Sequence, residues 1–190
     1  MHAEVLIAPV EPTDASVFRR WFGASKVVDP SGAPLVVYHG TQSGPFDAFR
    51  VGEEGIFFAE REETARFYAN GGDLGGEGCR VVAAHLSLIN PIRMTWREWL
   101  NGVTECGIHH ALIGNEGLSE MGYDGAVLTD PDLDDPAANS ITYVAFRPEQ
   151  VKAVANRGTW DPGDPRMSFK RSSATPGDED EEEAMCSPKF

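Results

Sequence analysis

The chain has 190 residues, 41% of them hydrophobic, which is enough for one domain with a real core and too few for two ordinary ones. No run approaches the ~18 consecutive apolar residues of a membrane helix, and the first residues, with Glu4 and Glu11, lack the cationic start of a signal peptide. The net charge is −14, of which −10 lies on residues 1–170, so a body that holds nucleic acid through general phosphate attraction is disfavoured.

In chain order, residues 1–13 read as an N-terminal arm, 14–170 as the folded domain and 171–190 as an acidic tail. The tail carries six acids from Asp178 to Glu183 against Arg171 and Lys189, with Met185 its one large apolar residue before Phe190. Such a segment cannot bury enough surface to offset its ordering entropy, so disorder is expected. Asp14 is placed to cap a short helix through Phe22, which Gly23 ends. Lys26–Val28 and Pro34–Tyr38 read as a strand pair around Asp29–Gly32. The β-branched run closes in a His39-Gly40-Thr41 turn, with Phe46 and Phe49 packing beneath the loop that follows.

A second apolar strand, Gly55 to Ala59, comes sixteen residues after His39, and a charged helix from Arg61 to Asn70 follows with Ala65 and Tyr68 facing inward. Gly71 to Gly78 holds five glycines and reads as a loop. Cys79 to Ile89 alternates as a strand that Asn90-Pro91 stops, and Trp96–Leu100 and His109–Leu118 are helical. Gly125–Leu128, Ile141–Phe146 and Gln150–Val154 are the remaining strands, with an acidic loop between Asp130 and Asn139. Short strands with interspersed helices argue an α+β fold.

Cys79, Cys106 and Cys186 are odd in number and scattered, as free thiols in a reducing compartment would be. His109 and His110 beside Cys106 are a poor metal trio, because adjacent helical side chains diverge by about 100°. Asp130 to Asp135 resembles a calcium loop only superficially: the Gly and Glu of an EF-hand are here Asp135 and Ile141. No metal is expected.

Tyr38-His39-Gly40-Thr41, Gly55-Ile56-Phe57-Phe58-Ala59 and Glu63 to Tyr68 supply a hydroxyl-binding imidazole, a backbone open to close approach and two ring faces for a flat heterocycle. In that order the segments resemble the NAD-binding core of the diphtheria-toxin-like and poly(ADP-ribose)-polymerase-like ADP-ribosyltransferases, which carry a His-Tyr-Glu triad. Gly122-Tyr123-Asp124-Gly125 and Asn156 to Pro162 are similar to the branch found in phage and mobile-element polyvalent proteins. The resemblance spans roughly residues 16–167. It implies a split antiparallel β-sandwich with peripheral helices and NAD, as co-substrate, in the cleft between the sheets.

The implied reaction cleaves the bond between nicotinamide and ribose through a transition state with positive charge at the anomeric carbon. By the family pattern His39 bonds the adenosine-side ribose, Gly40 reads the nicotinamide amide, Thr41 orients the adenosine end, and Phe57 and Tyr68 stack on the ring. Gly55 completes the NAD-binding set. Arg50 reads as a surface arginine, with a pyrophosphate contact as the alternative.

The chain departs from the pattern at the third triad position. Where the family has a glutamate at a strand start, this sequence has Thr142, in Asn139-Ser140-Ile141-Thr142-Tyr143-Val144. Glu149 is the nearest downstream carboxylate, though reaching it needs a slide of seven residues past Pro148. Asp132, Asp134 and Asp135 are further substitutes.

The expected activity is mono-ADP-ribosylation of a macromolecule, by a phage- or mobile-element-derived toxin or host-modifying enzyme. An NAD-binding pseudo-enzyme and an NAD glycohydrolase are the alternatives. A protein acceptor is mildly favoured over nucleic acid by the acidic body. An antitoxin or immunity partner and a cytoplasmic location, in the producing or the target cell, complete the expectation.

Overall fold

A computed structural model describes residues 15–43, 45–70, 79–101, 110–129, 140–156 and 160–168. The N-terminal arm, the Asp14 cap, the Gly71–Gly78 loop, the Cys106–His109 pair, the Asp130–Asn139 loop with Asp132, Asp134 and Asp135, and the acidic tail lie outside these residues.

Four helices and seven strands are described: α1 (Ala15–Phe22), β1 (Val37–Thr41), β2 (Ile56–Ala59), α2 (Glu62–Ala69), β3 (Arg80–Leu86), β4 (Ile92–Thr95), α3 (Trp96–Asn101), α4 (His110–Glu120), β5 (Gly125–Thr129), β6 (Thr142–Ala145) and β7 (Val151–Ala153). The strands form one sheet in the order β4-β5-β6-β2-β1-β3-β7. The α+β class is as expected. Every join is antiparallel except β4–β5, and a parallel pair needs a crossover, which α3 and α4 supply. β4 was not foreseen in the sequence.

The sheet is nearly two sheets. β1 pairs with β3 over five residues, whereas β1 and β2 meet at the single pair Tyr38↔Ala59. One core, with Val37, Phe58, Leu86 and Val151, lies on one face. A second, with Met94, Trp99, Leu128 and Val144, lies under the β4-β5-β6 half. The split expected from the resemblance survives as this narrow join.

Two local expectations are corrected. His39-Gly40-Thr41 is strand and not turn, since the three residues pair with Val82, Val81 and Arg80. Gly signals a turn only where the backbone lacks partners, and here β3 provides them. The Lys26–Tyr38 hairpin shrinks to one bridge, Val28↔Pro34, because Asp29 closes its own turn by accepting from the amides of Ser31 and Ala33.

In the two downstream motifs the described residues make packing and backbone contacts, and Arg157, Gly158 and Thr159 lie outside the described residues. Asp124 accepts from the amides of Ile89 (2.6 Å) and Asn90 (2.8 Å), fixing the exit of β3. At Gly125 a Cβ would fall 2.6 Å from the Val144 carbonyl oxygen. Trp160 packs edge-on to Phe18 and tilted against Trp21, holding α1 to the segment after β7. Lys152, fully buried in β7, donates to the carbonyls of Asp164 (2.5 Å) and Arg166 (2.8 Å). The Ala153 amide donates to the Met167 carbonyl, so residues 164–167 run along β7.

Candidate active site

The site is built where β1, β2, α2 and β6 converge. α2 lies so close to β1 that a Cβ on Gly40 would sit 1.8 Å from the Ala65 carbonyl oxygen and 2.8 Å from the Ala69 nitrogen. Gly40 is therefore required first by helix packing, a different reason from the ligand approach expected of it. Ala65 and Ala69, four residues apart, form the buried stripe of α2.

That stripe displaces Tyr68. It does not face inward as expected; it is 63% exposed. It stands at the mouth of a cavity of about 330 Å³ that it lines together with His39, Gly40, Phe57, Trp99 and Thr142. Phe57 lies nearly parallel to Trp96, with ring centroids 6.1 Å apart, and edge-on to Trp99 at 6.0 Å. Trp96 and Trp99 were read from the sequence only as helix residues.

β6 brings Thr142 opposite Ala59 on β2. Thr142 is buried and shares its strand face with Val144. Glu149 does not reach this cavity. The amides of Phe146 and Arg147 donate to the Gln150 side chain, and the chain turns through Pro148–Gln150, so β6 cannot slide forward. Glu149 instead borders a separate cavity with Trp21 and Asp124.

The sequence reading missed Glu54. It is the one acidic side chain among the described residues lining the Phe57–Thr142 cavity. It directly precedes the Gly55–Ala59 motif, and that adjacency was the available signal.

A second, more polar cavity of about 460 Å³ shares His39 and Phe57 with the first and is lined further by Thr41, Ser43, Arg50 and Gly55. Arg50 is an exposed arginine, as expected, yet it faces this cavity. Gly55 has φ +90°, and a Cβ there would meet Val144 Cγ1 at 2.7 Å. Thr41 Oγ1 accepts from the Ser43 amide at 3.1 Å.

His39 stands between the cavities, edge-on to Phe49 at 4.8 Å. Its Nδ1 lies 2.7 Å from the Phe57 carbonyl oxygen. A carbonyl only accepts, so Nδ1 carries the proton and Nε2 keeps a lone pair able to accept from a hydroxyl. Burial lowers the His39 pKa below the ordinary 6.5, and the bond to Phe57 only partly opposes it. His85, bonded to the Leu35 carbonyl, is lowered in the same way.

Both imidazoles are thus neutral in the folded chain, while the unfolded chain takes up protons first. Their stability contribution is whole above pH 6.5 and is lost as pH falls below it and through the lowered folded values. Urea midpoints are expected to fall between about pH 7.5 and about pH 5.5, by less in His39→Gln. An equal fall in parent and variant would show that His39 does not contribute.

Among the described residues no group of three or more His, Cys, Asp or Glu is placed to hold a metal ion, and no helix is long and apolar enough to cross a membrane. Cys79 is a free thiol.

An α+β sheet narrowed at one join, with a ring-lined cavity beside it, has the form of an ADP-ribosyltransferase domain. A family model described as ADP-ribosyltransferase in polyvalent proteins matches residues 29–160, and the chain belongs to that family. ADP-ribosyltransferases use NAD as co-substrate. No curated protein and no solved structure matches the chain.

Proposed function

We propose that this chain transfers a single ADP-ribosyl group from NAD to a macromolecule, as a toxin or host-modifying enzyme of a phage or mobile element acting in the cytoplasm. The observation that carries the reading is the meeting of two unlike cavities at His39. The apolar one suits nicotinamide: Phe57 and Tyr68 offer ring faces and the Gly40 backbone offers amide partners. The polar one suits the adenosine side, with Thr41 and Arg50 on its wall and His39 Nε2 free to accept a ribose hydroxyl. The cleft thus holds the nicotinamide ribose at the junction and keeps bulk water from one side of it.

Thr142 favours single transfer over chain growth. A neutral hydroxyl can bond a ribose hydroxyl but cannot activate an acceptor ribose as a carboxylate does. The acidic body favours a protein acceptor over nucleic acid, and an antitoxin or immunity partner would bind the same chain. The same Thr142 favours, as a second reading, a module that binds NAD without turnover.

Incubation with labelled NAD and a host lysate separates the outcomes. Label in a macromolecule means transferase, free nicotinamide alone means glycohydrolase, and binding without turnover means module. In calorimetry Tyr68→Ala is expected to lose about 0.5–1.5 kcal/mol of stacking, a roughly two- to tenfold rise in Kd. Unchanged affinity in the folded variant would place the nicotinamide elsewhere.

A further inference from the structure

Resting on the transferase reading above, we propose that Glu54 supplies the negative charge that this cavity needs and that Thr142 does not provide. The cavity that takes nicotinamide is lined by Thr142 where the family places its glutamate, and by Glu54 as the one carboxylate among its described lining residues. Glu54 is held in place by its backbone. The Gly55 amide donates to the Gly52 carbonyl at 3.2 Å, Gly52 and Gly55 form a bridge, and Gly55 takes φ +90°. That tight turn puts Glu53 and Glu54 at its tip. Only the second of them lines the cavity. β2 starts one residue after Gly55, so the position of Glu54 is tied to that of Phe57, the ring that receives the nicotinamide.

The chemistry explains why a carboxylate matters there. The bond from ribose C1′ to the nicotinamide nitrogen breaks, and its electron pair leaves with that nitrogen, which becomes neutral. The nucleophilic atom of the acceptor bonds to C1′, and its proton passes to water. Between these events positive charge grows on the ribose. A carboxylate on the cavity wall stabilises that charge, more effectively where rings exclude water than in bulk solvent. A threonine hydroxyl carries no net charge. Glu54 is exposed to solvent, and a nicotinamide ribose bound over the cavity mouth would cover that side.

The test uses the full chain, labelled NAD and a lysate, with nicotinamide release, label transfer and NAD affinity read separately. Glu54→Gln is expected to slow nicotinamide release about a hundredfold or more, while the NAD Kd moves less than about threefold and the melting temperature is held. Glu53→Gln makes the same charge change on the same turn, outside the cavity, and keeps the parent rate. Glu54→Asp retains an intermediate rate. The proposal is overturned if Glu54→Gln stays within about threefold of the parent, or if Glu53→Gln slows release equally, since the effect is then diffuse charge. It is also overturned if the parent binds NAD but releases no nicotinamide and labels nothing, an outcome that leaves the binding reading intact. A parent that does not bind NAD overturns the transferase reading beneath it.

Discussion

Thr142→Glu is expected to release nicotinamide from NAD faster than the parent chain, by about ten- to a hundredfold. Charge-stabilising groups aimed at a developing charge are typically worth about 10²–10³ in rate. Thr142 is buried on the wall of the cavity that Phe57 also lines, where nicotinamide is proposed to bind, so a carboxylate there would act with little solvent screening. The gain is smaller than the full range because Glu54 lines the same cavity, and two carboxylates in one site raise one another's pKa. In a Glu54→Gln background that conflict is gone and the gain is larger. Thr142→Ala loses only a neutral hydrogen bond of about 0.5–1.5 kcal/mol. Glu149→Gln is expected to change nothing, since Glu149 borders the cavity near Trp21. Loss of turnover in Glu149→Gln, with both Thr142 variants silent, would move the reacting centre away from β6.

Gly40→Ala is expected to destabilise the fold by at least about 3 kcal/mol, at the upper end of overpacking costs. The new methyl would overlap the Ala65 carbonyl and crowd the Ala69 amide, both backbone atoms of a helix that cannot fold away as a long side chain can. Relief requires α2 to lift from β1, and Tyr68 moves with it. The comparison is Gly52→Ala, where an added Cβ meets nothing within 4 Å; its cost should stay within about 0.5 kcal/mol. Urea denaturation of the two variants checks the contrast, and equal midpoints would mean that α2 yields freely.

These two residues also show how far the sequence could be read. Alternation in Arg80–Leu86 and the apolar run Gly125–Leu128 announce strands directly, because strand periodicity is written in consecutive residues. The ordered motifs around His39, Phe57 and Tyr68 pointed to side chains that do share a cavity. What failed was orientation. An eight-residue helix has two plausible inner faces; Ala65 is buried as expected, and Ala69 rather than Tyr68 joins it because Gly40 on β1 lets the helix backbone pack at Ala65 and Ala69. β4 was hidden because four residues after a proline are too short for a periodic signal. Adjacency to the Gly55–Ala59 motif was the one sequence signal for Glu54, and tertiary structure separates it from Glu149: one sits on a turn beside the cavity it lines, and the other follows a strand end whose amides donate to the Gln150 side-chain oxygen.

The seam of residues 164–167 along β7 has a consequence for how the protein behaves in concentrated solution. β7 is a sheet edge three residues long, and an uncovered edge invites pairing with a second copy of the chain. Here the outward amide of Ala153 is already taken by Met167, and the buried ammonium of Lys152 ties down the carbonyls of Asp164 and Arg166 on the covering segment. The segment acts as a guard strip against self-association. A chain cut before Asp164, which removes the whole covering segment, is therefore expected to associate with itself more readily than the full chain, even with every residue lining the Phe57–Thr142 cavity still present.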